Sequence, residues 1–140
     1  MKAIVEMTKG SKYKYEIDKA WGGLKLDRPL LIRVPHNYGY IPDTLAPDGD
    51  ALDIFILSED PIPPLAHVEV EILGGYVCED QGVRDEKIVA KIKGDTYPTM
   101  CSEIVHYLGL YKEGFEVLSW MDVTEAKRLI ERYTIGRRGD

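Results

Sequence analysis

Alternating apolar and polar positions dominate the first two thirds of the chain and predict β-strands. In residues 12–18, KYKYEID, the residues Tyr13, Tyr15 and Ile17 point to one side and charged residues point to the other. The same period occurs in residues 67–72 and in residues 85–93. Shorter strands are predicted over residues 3–6, 30–34 and 54–57.

The segment DEKIVAKIK, residues 85–93, has an unusual distribution of charge. Its alternation places Glu86 on the same face as Ile88, Ala90 and Ile92, while Asp85 and Lys87 share the opposite face.

The last third has the period of helices. Residues 102–112 carry Ile104, Val105, Leu108 and Tyr111 at helical spacing. Asp122 followed by Glu125 predicts a capping box that begins a second helix. The apolar stripe of that helix consists of Val123, Ala126, Leu129, Ile130 and Tyr133. Strands followed by helices predict an α+β domain, a small antiparallel barrel or sheet with helices packed outside it.

Length and composition narrow the class of protein. The 140 residues predict one domain, residues 1–140, and 44% hydrophobic with 30% charged residues is typical of a globular chain. The formal net charge of −6 argues against a nucleic-acid-binding protein, and no apolar run is as long as a membrane span. Only Cys78 and Cys101 are present, and the N-terminus lacks the pattern of a signal peptide, so a cytoplasmic location is expected.

Three aspartates precede a predicted buried strand in LAPDGDALDIFIL, residues 45–57. Asp48, Asp50 and Asp53 lie within six positions without a basic residue between them. One interpretation is a solvated turn, because Asp-Gly is a common turn dipeptide. An EF-hand fits poorly, because Leu52 and Asp53 occupy positions that need an oxygen ligand and a glycine. A magnesium site fits better, because Mg²⁺ binds few carboxylates per ion and keeps waters and substrate phosphates.

Further charged and phenolic residues accompany this cluster. Residues 78–87, CEDQGVRDEK, form either an acidic hairpin turn or a second group of ligands, and Lys14 with Glu16 form either an exposed salt bridge or part of a site. The remaining candidates are Arg28, Tyr38 and Tyr40. An acidic metal site beside cationic and phenolic donors is what phosphoryl-transfer chemistry requires.

Taken in order, these motifs resemble those of the soluble family I inorganic pyrophosphatases. The resemblance runs from about Glu6 to about Ala126, and its most specific part is NYGYIP followed by DGDALD. It implies a five-stranded OB-like β-barrel with helices packed outside. It also implies Mg²⁺-dependent hydrolysis of pyrophosphate to two orthophosphates, with several ions in each active site, although other divalent cations are also expected to serve.

The resemblance implies a role for each matching residue. Asp50 would help to deprotonate the attacking water, and Glu6 would lie at the edge of the site. The implied metal ligands are Asp48, Asp53, Asp80, Asp85 and Glu16. The implied phosphate-binding set is Lys14, Arg28, Lys87, Tyr111 and Lys112, with Tyr38 as a supporting phenol. Trp120 would match an aromatic residue in the closing helical region.

Several positions depart from the family pattern. Ala51 replaces a usual proline, Val34 replaces a usual phosphate-binding tyrosine, and Gln81 replaces a usual acid. His36 lies near the same loop as Val34 and is expected to be a surface or structural residue. The segment between Lys87 and Tyr111 is shorter than in typical members.

Two alternative functions remain open at this point. One is a related enzyme that hydrolyses another phosphoanhydride, such as a nucleotide or a short polyphosphate. The other is a catalytically weak OB module that binds oligonucleotides or a partner protein, which the acidic clusters argue against. The resemblance also implies a homo-oligomer, with a hexamer favoured, and no membrane or nucleic-acid partner.

Overall fold

A computed structural model describes residues 1–17, 20, 22–30, 32–96, 102–110 and 112–135, without the side chains of residues 16 and 28. In chain order, the elements are β1 (Lys2–Met7), β2 (Tyr13–Ile17), β3 (Leu24–Pro29), β4 (Asn37–Tyr40), β5 (Asp53–Leu57), β6 (His67–Asp80), β7 (Val83–Arg84), β8 (Lys87–Ile92), α1 (Ser102–Gly109), β9 (Phe115–Met121) and α2 (Val123–Tyr133).

Five of these strands close into a ring. Neighbouring strands pair in the order β1, β4, β5, β8 and β6, and β6 pairs back to β1. All of these pairings are antiparallel except that of β5 with β8, which is parallel. Strands β2 and β3 form a separate hairpin beside the ring. Strand β9 pairs with β6 and so adds a further strand to the main sheet. The predicted five-stranded OB-like barrel is therefore confirmed.

The two faces of β5 pack into two different hydrophobic clusters. Ile54 and Ile56 belong to a first cluster, which contains the apolar stripe of α2. Phe55 and Leu57 belong to a second cluster, which contains the buried side chains of α1. All four residues are fully buried, which is why residues 54–57 form a continuous apolar run rather than an alternating one.

The helices agree with the predicted capping but not with every apolar position. The Asp122 side chain accepts a hydrogen bond from the Glu125 amide, and the Glu125 side chain accepts one from the Asp122 amide, as the capping box predicts. Val123 and Val105 were placed on apolar stripes, but both are exposed, because each lies at the margin of its helix's buried face. Residue 111 lies outside the described residues.

The prediction missed β4 and β7, and three other strands differ from it. No strand occupies the described residues of 30–34, and the partner of β2 is Leu24–Pro29, whose mixed LKLDRP composition hides it. Strand β6 continues to Asp80, because Gly74 forms a bulge that allows the strand to bend without ending. Strand β9 lies where only helices were predicted. Its two end residues, Phe115 and Met121, are buried, whereas the residues between them are exposed or half-buried.

Among the described residues, no helix has both the length and the apolar character needed to cross a bilayer.

Candidate active site

Three polar side chains come from directly opposed positions on neighbouring strands. Tyr40 of β4 pairs with Asp53 of β5, and Asp53 in turn pairs with Lys87 of β8. Because β5 and β8 are parallel, their first residues lie at the same edge of the sheet. The sequence therefore brings a phenol, a carboxylate and an ammonium together at one end of the barrel.

Three carboxylates meet at this edge. Ligand atoms of Asp48, Asp53 and Asp85 all lie within 4.8 Å of one another. Asp53 begins β5, Asp85 lies two residues before β8, and Asp48 comes from the loop before β5. The burial of these three residues increases from exposed Asp48, through Asp53, to buried Asp85.

The loop that carries Asp48 has the geometry of the solvated turn considered above. The Asp50 amide donates to Asp48 Oδ1 over 3.0 Å, and the Ala46 amide donates to the Asp50 carbonyl over 2.8 Å. Gly49 has a φ of +90°, which a residue with a side chain rarely adopts. The turn and the site are therefore the same structure, because the tight turn holds Asp48 beside Asp53.

The second acidic segment is also a tight turn. Asp80 pairs with Val83 across a two-residue hairpin whose central residues, Gln81 and Gly82, both have positive φ. One oxygen of Asp80 lies 2.7 Å from Lys112 Nζ. Its other oxygen, Oδ1, is buried and has no hydrogen-bond partner within the described part of the chain.

Lys87 is the cation at the centre of the acidic group. Its residue is only 2% exposed, and its Nζ lies 2.7 Å from Asp53 Oδ2 and 3.3 Å from Asp85 Oδ1. Nζ also donates to the Tyr38 hydroxyl over 2.7 Å. A buried lysine of this kind is stable only because carboxylates surround it.

Burial changes the acidity of two of these carboxyls. Burial raises the pKa of Asp85 to about 6, and the Asp53 carboxylate adds to this while Lys87 opposes it. Burial also raises the pKa of Asp48, against the hydrogen bond from the Asp50 amide. Both carboxyls therefore hold a proton more tightly than a solvated aspartate does, and a bound cation would displace it.

These groups line one cleft of about 180 Å³ at the end of the barrel. The cleft is lined by these residues that the sequence singled out for the site: Glu6, Lys14, Tyr38, Asp48, Asp50, Asp53, Asp80, Asp85, Lys87 and Lys112. Tyr111 lies outside the described residues, as do the side chains of Glu16 and Arg28. The backbones of these last two lie in β2 and β3, where Arg28 pairs with Lys14.

Glu6 reaches the cleft because β1 has a bulge at that position. The register with β4 shifts between Val5 and Met7. The Glu6 carboxylate accepts a hydrogen bond from the Ile17 amide over 3.2 Å, which ties β1 to the β2–β3 hairpin. On that hairpin, Lys14 Nζ lies 3.5 Å from Asp27.

Tyr40, a candidate phenol to which the resemblance gave no individual role, also lines the cleft. The two-residue strand period of NYGY places it on the same side as Tyr38, which was the available signal. Burial raises the pKa of the Tyr40 hydroxyl, and the nearby Glu6 carboxylate adds to this effect.

Two other positions, Val34 and Trp120, differ from expectation, and His36 takes the second of its two expected roles. Val34 is fully buried in the second hydrophobic cluster, so a tyrosine there would overpack the core instead of reaching a phosphate. His36 is also buried, and its Nε2 lies 2.7 Å from Glu103 Oε2, which makes it a structural residue and not a surface one. Trp120 lies in strand β9, not in a helical region. Its ring packs edge-on against that of Tyr76, with the two ring centroids 4.8 Å apart.

The residues of the cleft fit a divalent cation. Their donors are carboxylate oxygens, which are the ligands that hard cations such as Mg²⁺ prefer. The unpartnered buried oxygen of Asp80 is a second and independent feature, since a buried carboxylate oxygen without a partner is costly. A cation in the cleft would satisfy it.

Comparisons with known proteins point to one family. The family model of the inorganic pyrophosphatases matches residues 3–135. Among solved structures, an inorganic pyrophosphatase from Neisseria gonorrhoeae superposes with a TM-score of 0.87 at 28% identity, covering 95% of this chain and 88% of that chain. An inorganic pyrophosphatase from Thermus thermophilus superposes with a TM-score of 0.84 at 32% identity, covering 95% and 90%.

Curated relatives share more of the sequence but are longer. A soluble inorganic pyrophosphatase from Zea mays is 39% identical over 132 residues, which are 93% of this chain and 56% of the relative. One from Hordeum vulgare is 45% identical over 94 residues, which are 66% of this chain and 44% of the relative. The chain thus spans about half the length of these plant relatives.

Proposed function

The chain belongs to the inorganic pyrophosphatase family, and on this premise we propose that it hydrolyses pyrophosphate to two orthophosphates with the help of divalent cations. The observation that carries the proposal is the convergence of Asp48, Asp53 and Asp85 within 4.8 Å beside the buried Lys87. Three carboxylates and one buried ammonium group leave an excess of negative charge, which favours the binding of cations. Bound cations would in turn attract an anionic substrate.

We propose Mg²⁺ as the cation, held by the three converging aspartates together with Asp80 and Glu16. When bound, Mg²⁺ would supply positive charge for the phosphate oxygens and lower the pKa of a coordinated water. By the same resemblance, Asp53 and Asp85 would each be shared between ions.

Asp50 is proposed to accept the proton of the attacking water. It lines the cleft and is exposed, but it is not one of the three carboxylates that converge within 4.8 Å among the described residues. The Asp50 amide donates to Asp48 Oδ1 over 3.0 Å, which keeps Asp50 on the same turn as that ligand. This position suits a general base rather than a ligand.

The cations of the cleft are proposed to bind the two phosphates. Lys14 and Lys112 each lie beside one aspartate, at 3.5 Å from Asp27 and 2.7 Å from Asp80, and a phosphate would compete for both ammonium groups. Arg28, Lys87 and Tyr111 complete the set by resemblance, and Tyr38 supports the site through its contact with Lys87. Fixed cations of this kind take up the charge of the leaving phosphate.

Three wider properties are proposed on the resemblance. The chain acts as a single domain over residues 1–140, and it assembles as a homo-oligomer, with a hexamer favoured. Its location is a reducing cytoplasm, which suits the buried free thiol of Cys78.

The affinity for Mg²⁺ is expected to rise with pH between pH 5 and pH 7. Because burial raises the pKa of Asp85 to about 6, this carboxyl is protonated below pH 6 and the proton competes with the cation. Displacement of that single proton predicts an affinity about tenfold lower at pH 5 than at pH 7, and little further change above pH 7 from this group. Calorimetric titration at several pH values, in buffers of different ionisation enthalpy, measures both the affinity and the proton released. An affinity that stays constant over this range would contradict the assignment of Asp85 as a ligand.

Substrate choice is tested by the release of orthophosphate from pyrophosphate, a nucleoside triphosphate and tripolyphosphate at equal free Mg²⁺. We expect pyrophosphate to be hydrolysed fastest. Faster release from one of the other substrates would identify the chain as a different phosphoanhydride hydrolase. Absence of release from all three would favour a binding module.

A further inference from the structure

Glu86 is a buried carboxylate that the proposed reaction does not use. Its side chain is 1% exposed, although it stands between Asp85 and Lys87 in the sequence. Along the strand it points away from those two residues, to the face that carries Ile88 and Ala90. This is the core face on which the alternation of residues 85–93 placed it.

The contacts of Glu86 come from α2 and from its own hairpin. The Tyr133 hydroxyl lies 3.2 Å from Oε1 and 3.3 Å from Oε2 of Glu86, and Arg84 lies 3.1 Å from Oε2. Burial, and after it the Glu86 carboxylate, raise the pKa of Tyr133, so its hydroxyl stays protonated and acts as the donor. These contacts connect the segment that carries Asp85 to Tyr133, the last residue of α2.

The C-terminal end of α2 also forms backbone hydrogen bonds with the loop that carries Asp48. The Leu45 amide donates to the Tyr133 carbonyl over 2.9 Å, and the Ile135 amide donates to the Asp43 carbonyl over 2.9 Å. Thr44 and Thr134 form a β-bridge between these two contacts. Directly after Leu45, the hydrogen bond from the Ala46 amide to the Asp50 carbonyl closes the loop that contains Asp48.

We propose that Tyr133 and Glu86 are positioning residues that set the spacing between Asp48 and Asp85. Tyr133 holds one of these segments through its carbonyl and the other through its hydroxyl, so its two contacts fix the separation of carboxylates that lie on different loops. The effect on the cation rests on the proposed function, whereas the contacts themselves do not. Mutation of residues that support metal ligands without contacting the metal typically changes metal affinity by about 10–100-fold.

The test compares variants by calorimetric Mg²⁺ titration in the absence of substrate. Tyr133→Phe removes the donor without changing the ring, the charge or the backbone contacts, and Glu86→Leu removes the acceptor. Glu86→Gln removes the charge but keeps an acceptor oxygen. We expect Mg²⁺ affinity about tenfold weaker in Tyr133→Phe and in Glu86→Leu, and near-parental affinity in Glu86→Gln. The double variant Tyr133→Phe/Glu86→Leu should be no worse than either single variant, because both remove one contact.

The matched control is Glu71→Leu. Glu71 lies on β6 and pairs with Lys91 of β8 at 2.9 Å, and neither residue lines the cleft, so its loss should leave Mg²⁺ affinity unchanged. The proposal is overturned if Tyr133→Phe binds Mg²⁺ like the parent and loses only thermal stability. It is also overturned if Glu86→Gln is as weak as Glu86→Leu, or if the losses of the two single variants add.

The outcomes separate this proposal from the proposed function. A parent protein that releases phosphate from pyrophosphate while Tyr133→Phe keeps parental Mg²⁺ affinity would contradict only the positioning role. A parent that binds Mg²⁺, with the expected losses in the variants but without hydrolysis, would contradict only the reaction. A parent that binds no Mg²⁺ would contradict both.

Discussion

Asp50→Asn is expected to lower kcat for pyrophosphate by about 10²–10⁴-fold, the usual span for a general base, while Mg²⁺ affinity stays near the parental value. The substitution keeps the size of the side chain and the backbone amide that holds Asp48, and it removes only the ability to take a proton. The acidic limb of the pH profile of kcat should also shift or vanish. Steady-state kinetics against pH and calorimetric Mg²⁺ titration measure the two effects separately.

Asp53→Asn is the comparison for this variant. Asp53 is one of the three converging carboxylates, so its substitution should weaken Mg²⁺ binding and activity together. If Asp50→Asn loses Mg²⁺ affinity as severely as Asp53→Asn, then Asp50 is a ligand and the base is another group. If Asp50→Asn keeps near-parental kcat, no protein base is needed at this position.

Lys87→Met is expected to lower the free energy of unfolding of the metal-free protein by about 3–5 kcal/mol, the cost of removing one partner from a buried ion pair. Lys87 is the buried cation between Asp53 and Asp85, and methionine keeps the apolar stem while leaving those carboxylates close together without compensation. Added Mg²⁺ should raise the melting temperature of the variant more than that of the parent, because the ions would supply part of the missing charge. Chemical denaturation without metal and thermal denaturation with and without Mg²⁺ measure these quantities.

Lys91→Met provides the control on the same strand. Its partner Glu71 is mostly exposed, with a side-chain exposure of 58%, so the loss of this solvent-screened pair should cost much less than the loss of Lys87. A loss in Lys87→Met that is no larger than the loss in Lys91→Met would mean that Lys87 does not hold the acidic group together.

The grouping of Asp48, Asp50 and Asp53 in one cleft could be predicted from the sequence because they belong to one short motif. Asp48, Asp50 and Asp53 are local neighbours, and a tight turn followed by a buried strand suffices to place them at a strand end. The convergence of Asp48 and Asp53 with Asp85 could not be derived from local patterns. It depends on the parallel pairing of β5 with β8, which joins segments about thirty residues apart.

The errors have similar physical causes. Val34 was compared with a phosphate-binding position, but whether a side chain faces the cleft or the core depends on loop contacts such as that of the Val34 amide with the Ser11 carbonyl. Strand β9 was missed because its solvent-facing Leu118 obscures the alternation. Glu86 shows the opposite case, since the strand period placed it correctly but could not reveal Tyr133 as its partner.

Orthophosphate release from pyrophosphate, measured as free Mg²⁺ is varied, tests directly whether this cleft hydrolyses pyrophosphate with bound divalent cations. We expect no release above the buffer blank in excess chelator, and full recovery when Mg²⁺ is restored. Asp53→Asn should require more Mg²⁺ to reach half of its own maximum. Release that persists undiminished in excess chelator, or no release at any Mg²⁺ concentration, would contradict the claim.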